Sequence, residues 1–489
     1  MTEFANKIRK SLFSIFFATF IARAISFGAQ IVLARLLAPR DFGLMAIALM
    51  LISSFNLLQN MGVCEALVVQ KERMQEAGDT ALLLLFLLGV GMAMALYSGA
   101  PAIAGFFDTD REVLSRMIRV LLLILIFNSI YAVPNILFEK GLEFEKKILI
   151  EIIPALGYAA VALGLAYRDF GVWSLVCGRI FSSFLAIPLA WKLSSFRPTF
   201  RFDAKMAGNL LSYGKFIALG SIASFIVANI DDVVVGKVLD FTALGYYSMA
   251  YIVSNLVVVN MAQLINKVSF PAYAKVAGNP RDLKKIFLLT FRYISVIAAP
   301  FSMVLITLGH ELSSTFFGEK WLPMVPALQI ISISAFLRAL FSSAGGLFNG
   351  IGKPQYVFLI NISQAVLLFV FLIPMTKFLN IVGASLGALI VTFITAGILL
   401  RWLKKTIELT LKEVFQNAGP SVSIAFAVGI VNVLWIKSLA PAMGFESFSP
   451  LTTMATLTCC VAVFFFLLYF FSKKTFGDMV AFIKGEYKL

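Results

Sequence analysis

Charge is what this chain has least of. Only 14% of its 489 residues are Asp, Glu, Lys or Arg, where a soluble domain carries about 25%. No water-soluble fold could hide its 60% apolar residues and still cover itself with so little charge. An ordinary soluble enzyme, a disordered chain and a secreted disulfide scaffold are excluded together. Histidine is nearly missing: there is one, His310, so no His-based metal cluster can form. The four cysteines, Cys64, Cys177, Cys459 and Cys460, all lie inside apolar runs. They have neither metal-ligand spacing nor the loop setting of a disulfide, and read as small packing residues. A phosphate-binding loop is also lacking. The nearest run, Gly350-Ile351-Gly352-Lys353-Pro354, has the wrong spacing and no following Ser or Thr, so no ATP hydrolysis is expected. Neither a cofactor nor a metal is implied.

What the chain has in excess is apolar sequence. Its mean hydropathy is +0.91, and a membrane-crossing helix needs about 20 apolar residues. About 14 such stretches can be marked. Six run over 12–34, 43–64, 80–104, 114–136, 148–167 and 171–191, and six more over 213–235, 243–268, 286–308, 326–349, 355–376 and 381–402. Two follow at 418–439 and 451–472. The expectation is an all-α polytopic membrane protein. Its parts are a first region 1–205, a second 206–405, and 406–489 with two additional spans and a basic tail. The first stretch carries Arg23 in its middle, so it reads as a retained helix rather than a cleaved signal. No connection exceeds about 20 residues, which leaves no room for a folded extramembrane domain.

The net charge of +15 fits this reading. With the N-terminus inside, the cytoplasmic connections hold about 25 Lys and Arg and the outer ones about 7, the bias that fixes topology. Both termini are then cytoplasmic, and nucleic-acid binding is not expected. An internal repeat is also visible. Ala34-Arg35-Leu36-Leu37, Phe42-Gly43 and Ala48 recur as Gly236-Lys237-Val238-Leu239, Leu244-Gly245 and Ala250, at a constant offset of 202. The copies are six spans apart, an even number, so the two halves insert in the same direction.

Ionisable groups inside spans cost about 2.5–3.5 kcal/mol each at a helix centre, so they face a bundle interior, a partner or water. Arg23, Arg179 and Arg338 lie near span centres, and Arg292 in the inner half of the ninth. Arg35, Arg116, Arg119, Lys215 and Lys267 lie nearer the rims, where a long side chain can reach out to water. The acids in spans are Glu65, Glu151, Asp231 and Asp232. Charge at mid-depth is mostly positive, which suits an anion, and guanidinium grips phosphate through paired donors. Asp231 and Asp232 are candidates for an ion or proton, or for neutralising an Arg. As neighbours on a helix they point about 100° apart and cannot share one site. Amides form a stripe, Asn56, Gln59 and Asn60, which the eighth span repeats with Asn255, Asn260, Gln263 and Asn266. These could meet sugar hydroxyls or tie helices together. Pro134, Pro154, Pro188, Pro300 and Pro374 fall within spans, and Gly383 and Gly387 form a GxxxG pair suited to helix packing.

The run Gln30-Ile31-Val32-Leu33-Ala34-Arg35-Leu36-Leu37-Ala38-Pro39, with Arg23 before it and Asp41-Phe42-Gly43 and Asn60-Met61-Gly62 after it, resembles the Wzx-type oligosaccharide-flippase family. These are the polysaccharide transporters of the multidrug/oligosaccharidyl-lipid/polysaccharide superfamily. Asp231-Asp232, Gly236-Lys237-Val238-Leu239, Leu244-Gly245-Tyr246-Tyr247-Ser248-Met249-Ala250 and Phe270-Pro271-Ala272 resemble its second-half signature. The resemblance implies two six-helix lobes around a central basic cavity, alternating between inward and outward openings. The implied cargo is a glycan on a polyprenyl pyrophosphate, moved from inner to outer leaflet of a bacterial cytoplasmic membrane for cell-surface polysaccharide. Carried over residue by residue, the cavity candidates are Arg23, Arg35, Arg119, Lys215 and Arg338, with the amides Asn56, Asn60 and Asn260. Asp231 and Asp232 match the family's acidic position, where Asp then Asn is the expected pattern. Implied partners are membrane lipids, a polysaccharide polymerase and chain-length machinery. Two rival readings are a drug/cation antiporter, which would favour an acidic cavity, and a membrane glycosyltransferase or polymerase, which would need a large outer loop. An assembly scaffold without transport is a third.

Overall fold

The computed structural model describes residues 21–70, 72–108, 110–141, 143–256, 258–439, 449–471 and 477. The chain divides into two compact units, Met1–Gly245 and Tyr246–Leu489. Among the described residues the secondary structure is helical, and ten helices are long and apolar enough to cross a membrane. The protein is therefore an all-α, multi-pass membrane protein.

The first unit opens with α1 over 21–36, followed by α2 (Pro39–Asn60), α3 (Val63–Val69), α4 (Met74–Phe106), α5 (Arg111–Leu121) and α6 (Leu123–Lys140). Then come α7 (Phe144–Ala166), α8 (Val172–Leu193), α9 (Ala204–Val238) and the start of α10 (Phe241–Asn255). Helix starts are written locally. Pro39 begins α2 at a position where its missing N–H costs nothing, and the Asp41 carboxylate accepts from the Ala38 N–H at 3.0 Å. Asp203 caps α9, accepting from the Lys205 and Met206 N–H groups at 2.9 and 3.1 Å. Two left-handed residues, Met61 (φ 39°) and Gly62 (φ 72°), break α2 from α3.

The segment 194–203, between α8 and α9, is a strap rather than a free loop. Asp79, buried in α4, accepts from the Thr199 N–H at 2.8 Å and from the Thr199 hydroxyl. Gln75 donates to the Arg197 carbonyl at 2.7 Å, and the Asp203 N–H donates to the Thr80 hydroxyl at 3.2 Å. Phe196 is buried with Val63, Leu67, Leu82, Val133, Met206 and Leu210. The start of α9 is thereby seated on α3 and α4, which is why the compact unit continues past the strap to Gly245.

The second unit continues with α11 (Val258–Lys275), α12 (Pro280–Thr307), the short α13 (Gly309–Leu312), α14 (Val325–Gly350), α15 (Pro354–Ile407), α16 (Leu411–Leu434) and α17 (Pro450–Phe471). Its core gathers Tyr273, Phe287, Phe291, Phe348 and Leu403 from α11, α12, α14 and α15. α15 is two helices meeting at Asn380, whose φ of 54° is not helical. A Cβ on Gly383 would overlap the Met375 carbonyl, so the GxxxG pair serves as the expected packing surface, here against the preceding arm of the same hairpin. α16 and α17 are fastened to α12. Lys284 meets Glu413 at 2.6 Å, Arg292 donates to the Asn417 carbonyl oxygen at 3.0 and 2.6 Å, and Phe464 and Cys460 pack with Val296 and Val304. Large aromatics point outward, with Phe378 84% and Phe471 79% exposed. That is the inversion expected where the solvent is hydrocarbon rather than water. All four cysteines are free.

Candidate functional site

Among the described residues, each unit has a candidate arginine stacked on a tyrosine. In the second unit this is Arg338, the fourteenth residue of α14. Its guanidinium lies 5.1 Å from the Tyr251 ring centroid. Nη1 donates to the Tyr251 hydroxyl and Nη2 to the Asn255 carbonyl oxygen, both at 3.1 Å. Asn255 is itself fixed, donating to the Tyr251 carbonyl one turn earlier at 2.7 Å. Both of these bonds are to neutral groups and aim the guanidinium. The neighbouring turn is tied by Ser254 to Ser332 at 3.2 Å, and Asn266 of α11 donates to Ser342 at 2.8 Å. The amide stripe of the eighth span therefore orients one candidate and joins helices.

In the first unit the corresponding cation is Arg119 on α5. It stacks over Tyr97 of α4 at 4.8 Å from the ring centroid. Its Nε is buried without a hydrogen bond, and among the described residues no acid pairs with it. Arg116, one turn away, is neutralised by Glu112. The guanidinium of Arg119 is thus a charge with open donors, held by an aromatic face.

The remaining described candidates have other surroundings. Arg23 and Arg35 are both exposed on α1, twelve residues and so about 18 Å apart along the axis. Asn56 is half-buried on α2. Asn60 accepts from the Cys64 N–H at 3.1 Å and reaches Glu65 at 3.3 Å, so it caps α3 across the left-handed break. Gln59, buried, donates to the Leu85 and Leu125 carbonyls at 3.0 and 3.3 Å and joins α2, α4 and α6. Asp231 is buried in α9 and accepts from the Asp232 N–H at 3.1 Å. The side chains of Lys215 and Asn260 lie outside the described residues. Arg292 is occupied in holding α16. Tyr97 and Tyr251 are contacts the sequence did not single out. Each lies on a different helix from its arginine, with no spacing to mark it.

Electrostatics on the connecting segments are set by local donors. The Met206 and Lys205 N–H groups, with Arg73 at 3.2 Å, hold the Asp203 carboxyl below the usual carboxylate range. The Lys237 ammonium, 2.8 Å away, does the same for Asp108. Among the described residues no group of three His, Cys, Asp or Glu is placed to hold a metal ion.

These features describe a helical membrane bundle with oriented cations. The family model described as "Polysaccharide biosynthesis protein" matches residues 32–326, more than half of the chain. The chain belongs to that family. It is similar to the teichuronic acid biosynthesis protein TuaB of Bacillus subtilis (strain 168), 26% identical over 385 residues, 77% of this chain and 78% of that one. It is also similar to the lipopolysaccharide biosynthesis protein WzxC of Escherichia coli (strain K12), 22% identical over 429 residues, 85% and 86% of the two chains. Among solved structures, the inward closed conformation of the lipid II flippase MurJ aligns with a TM-score of 0.72 at 13% identity, covering 93% of this chain and 98% of that one. An inward-facing multidrug resistance MATE family transporter of the MOP superfamily aligns at 0.65 and 15% identity, covering 79% and 94%. The family resemblance read from the signature segments stands, and the fold is shared with these solved transporters.

Proposed function

We propose that this member of the polysaccharide biosynthesis family is a flippase. It carries a polyprenyl-pyrophosphate-linked oligosaccharide from the inner to the outer leaflet of the cytoplasmic membrane by alternating access, for cell-surface polysaccharide. A single observation carries this reading. Arg338, in the middle of a membrane-crossing helix, is aimed by the hydroxyl of Tyr251 and the amide of Asn255. An oriented guanidinium at that depth is a phosphate receptor. Arg119, with its Nε open, would supply a second cation. A sugar headgroup cannot cross hydrocarbon without replacement hydrogen bonds, and a polar cavity would provide them while the lipid tail stays in the bilayer. The relatives named for teichuronic acid and lipopolysaccharide biosynthesis support the substrate class. Of the other candidates, Arg23, Arg35, Lys215, Asn56 and Asn260 would line the path, and Asp231 and Asp232 would serve coupling. Fourteen spans, both termini in the cytoplasm, and contact with a polymerase and its chain-length partner complete the reading.

An antiporter reading is disfavoured because the oriented charged groups, Arg119 and Arg338, are basic rather than acidic, and a glycosyltransferase reading by the shortness of the connecting segments. The test is deletion of the gene, followed by mass spectrometry of extracted lipids and leaflet-specific probing of intact cells. A polyprenyl-pyrophosphate glycan should accumulate on the cytoplasmic side, and Arg338→Ala should reproduce the block. Absence of accumulation, in a strain without a redundant flippase, would overturn the assignment.

A further inference from the structure

The strap at 194–203 has an exposed side that the transport reading leaves unused. Its depth is fixed by the helices that hold it. It leaves α8 at Leu193, and Gln75, Asp79 and Thr80 bind it to the polar first turns of α4. Both α4 and α8 are long and apolar enough to cross a membrane, and the apolar run of α4 begins at Ala81. The strap therefore lies at the level where α4 leaves hydrocarbon for headgroups. Trp191, which packs on Phe196 at 6.2 Å between ring centroids, suits that level.

The exposed side is made by a break in alternation. In a regular extended strand successive side chains point to opposite faces. With Thr199 turned toward Asp79, Arg201 would turn inward as well. Phe200 instead has a φ of 54°, a left-handed backbone that a bulky residue rarely adopts. Phe200, Arg201 and Phe202 are all exposed, the two rings by 68% and 50%. The strained backbone thus presents two rings with a guanidinium between them.

Charge divides in the same way. The acids around the strap are engaged within the protein: Asp79 with Thr199, Glu76 with Arg73, and Asp203 with Arg73 and the first N–H groups of α9. Arg197 is turned back on the Ser194 and Phe196 carbonyls, at 2.7 and 2.9 Å. Lys192, Arg201 and Lys205 are exposed, and among the described residues their side chains make no ion pair or hydrogen bond. Three cations without an acid, beside two exposed rings at this depth, complement a surface that is anionic above and apolar below.

We propose that the strap is a recognition site for an anionic phospholipid headgroup. Phe200 and Phe202 enter the boundary between headgroups and acyl chains, while Lys192, Arg201 and Lys205 collect the lipid phosphate. The same strap seats the start of α9, so a bound headgroup steadies that seat. Only the leaflet, the inner one, rests on the topology under Proposed function.

The test uses the full-length protein with its four cysteines replaced and an environment-sensitive fluorophore on Ser195→Cys, an exposed strap position that leaves both rings in place. It is reconstituted in vesicles of phosphatidylcholine and phosphatidylglycerol. A trace of lipid with a nitroxide high on its acyl chain is added, as either phosphatidylglycerol or phosphatidylcholine. Quenching should be several-fold stronger from the labelled phosphatidylglycerol. Lys192→Gln, Arg201→Gln and Lys205→Gln together should bring the two lipids level, and Lys353→Gln, at an exposed lysine outside the strap, should leave the preference intact. Phe200→Asn, which tolerates the left-handed backbone, should weaken quenching by both lipids. Absence of quenching by either lipid would overturn the proposal and leave the strap to water or to a protein partner. Equal quenching by both lipids in the parent protein would overturn it too, as would a preference that survives loss of the three cations or quenching unmoved by Phe200→Asn. The vesicles hold the same lipids in both leaflets and no glycan is moved, so failure here leaves the flippase assignment untouched. Failure of that assignment equally leaves the headgroup site standing.

Discussion

Arg119 and Arg338 are the same device built to two degrees. Both are cations inside helices, and both stack on a tyrosine of a neighbouring helix at nearly equal distance, 4.8 and 5.1 Å. Arg338 also commits Nη1 and Nη2 to Tyr251 and Asn255. Arg119 has no such bonds among the described residues, while the Nε of each arginine is buried without a hydrogen bond. A guanidinium fixed by neutral groups is preorganised, so a ligand meets it without ordering it first. One with open donors must be ordered by the ligand, but it has more bonds to give. Under the proposed function, the difference would separate a receptor that positions from one that adapts.

The comparison can be broken most decisively by removing each charge. Arg119→Ala and Arg338→Ala should both reduce glycan transport by more than an order of magnitude. Only Arg338→Ala should also lower the melting temperature in detergent, because only it removes hydrogen bonds between α10 and α14. Equal melting of the two variants would erase the distinction. A smaller effect is expected from Arg338→Lys, which keeps charge but loses the planar fork. It should retain partial transport, and Arg119→Lys should be better tolerated. At the tyrosines, Tyr251→Phe removes one hydroxyl partner and should cost about 0.6–1.7 kcal/mol of stability, the range for polar contacts within membranes. Tyr97→Phe keeps its ring and should be silent in both melting and transport. The smallest effect concerns pH. Lys237 holds Asp108 below the ordinary carboxylate range. Its pair is therefore present above the unfolded value of about 3.9 and is lost only as pH falls through the depressed one. Maleimide labelling of Phe107→Cys, at the buried neighbour of Asp108, should consequently be flat between pH 8 and 5, whereas Lys237→Gln should raise it at every pH.

Fold class was legible because hydropathy is a sum over many residues, and the repeat because its spacing is constant. The GxxxG of Gly383 and Gly387 was read correctly as packing, since small residues at that interval have few other uses in a membrane. Individual roles were less legible. Asn60 matched a stripe that suits sugar hydroxyls, yet it caps α3, because the Met61–Gly62 break that creates the need is a backbone feature without a side-chain signature. Arg292, in the inner half of its span, and Arg338, near the centre of its own, were both in-span arginines in sequence, but one is taken up by Asn417 of α16 and the other is aimed by α10. Which helix lies beside an arginine is a tertiary fact. The compact division after Gly245, beyond the polar segment near 200, also came from contacts that charge could not reveal, above all buried Asp79 beneath Thr199.

The strap held by Asp79 also governs where this protein tolerates alteration. By composition, 194–203 looks like the natural place to insert a reporter or divide the chain for co-expression. Its backbone, however, is spoken for by Asp79, Thr80 and Gln75, and Phe196 is buried beneath it. An insertion there would unseat the start of α9. The exposed turn at Ala277 and Gly278, just ahead of the Asn279 cap of α12, carries no such anchorage to a distant helix among the described residues. A tag belongs at 277–278, and a split protein should be cut there, so that α9 stays with the helices that seat it.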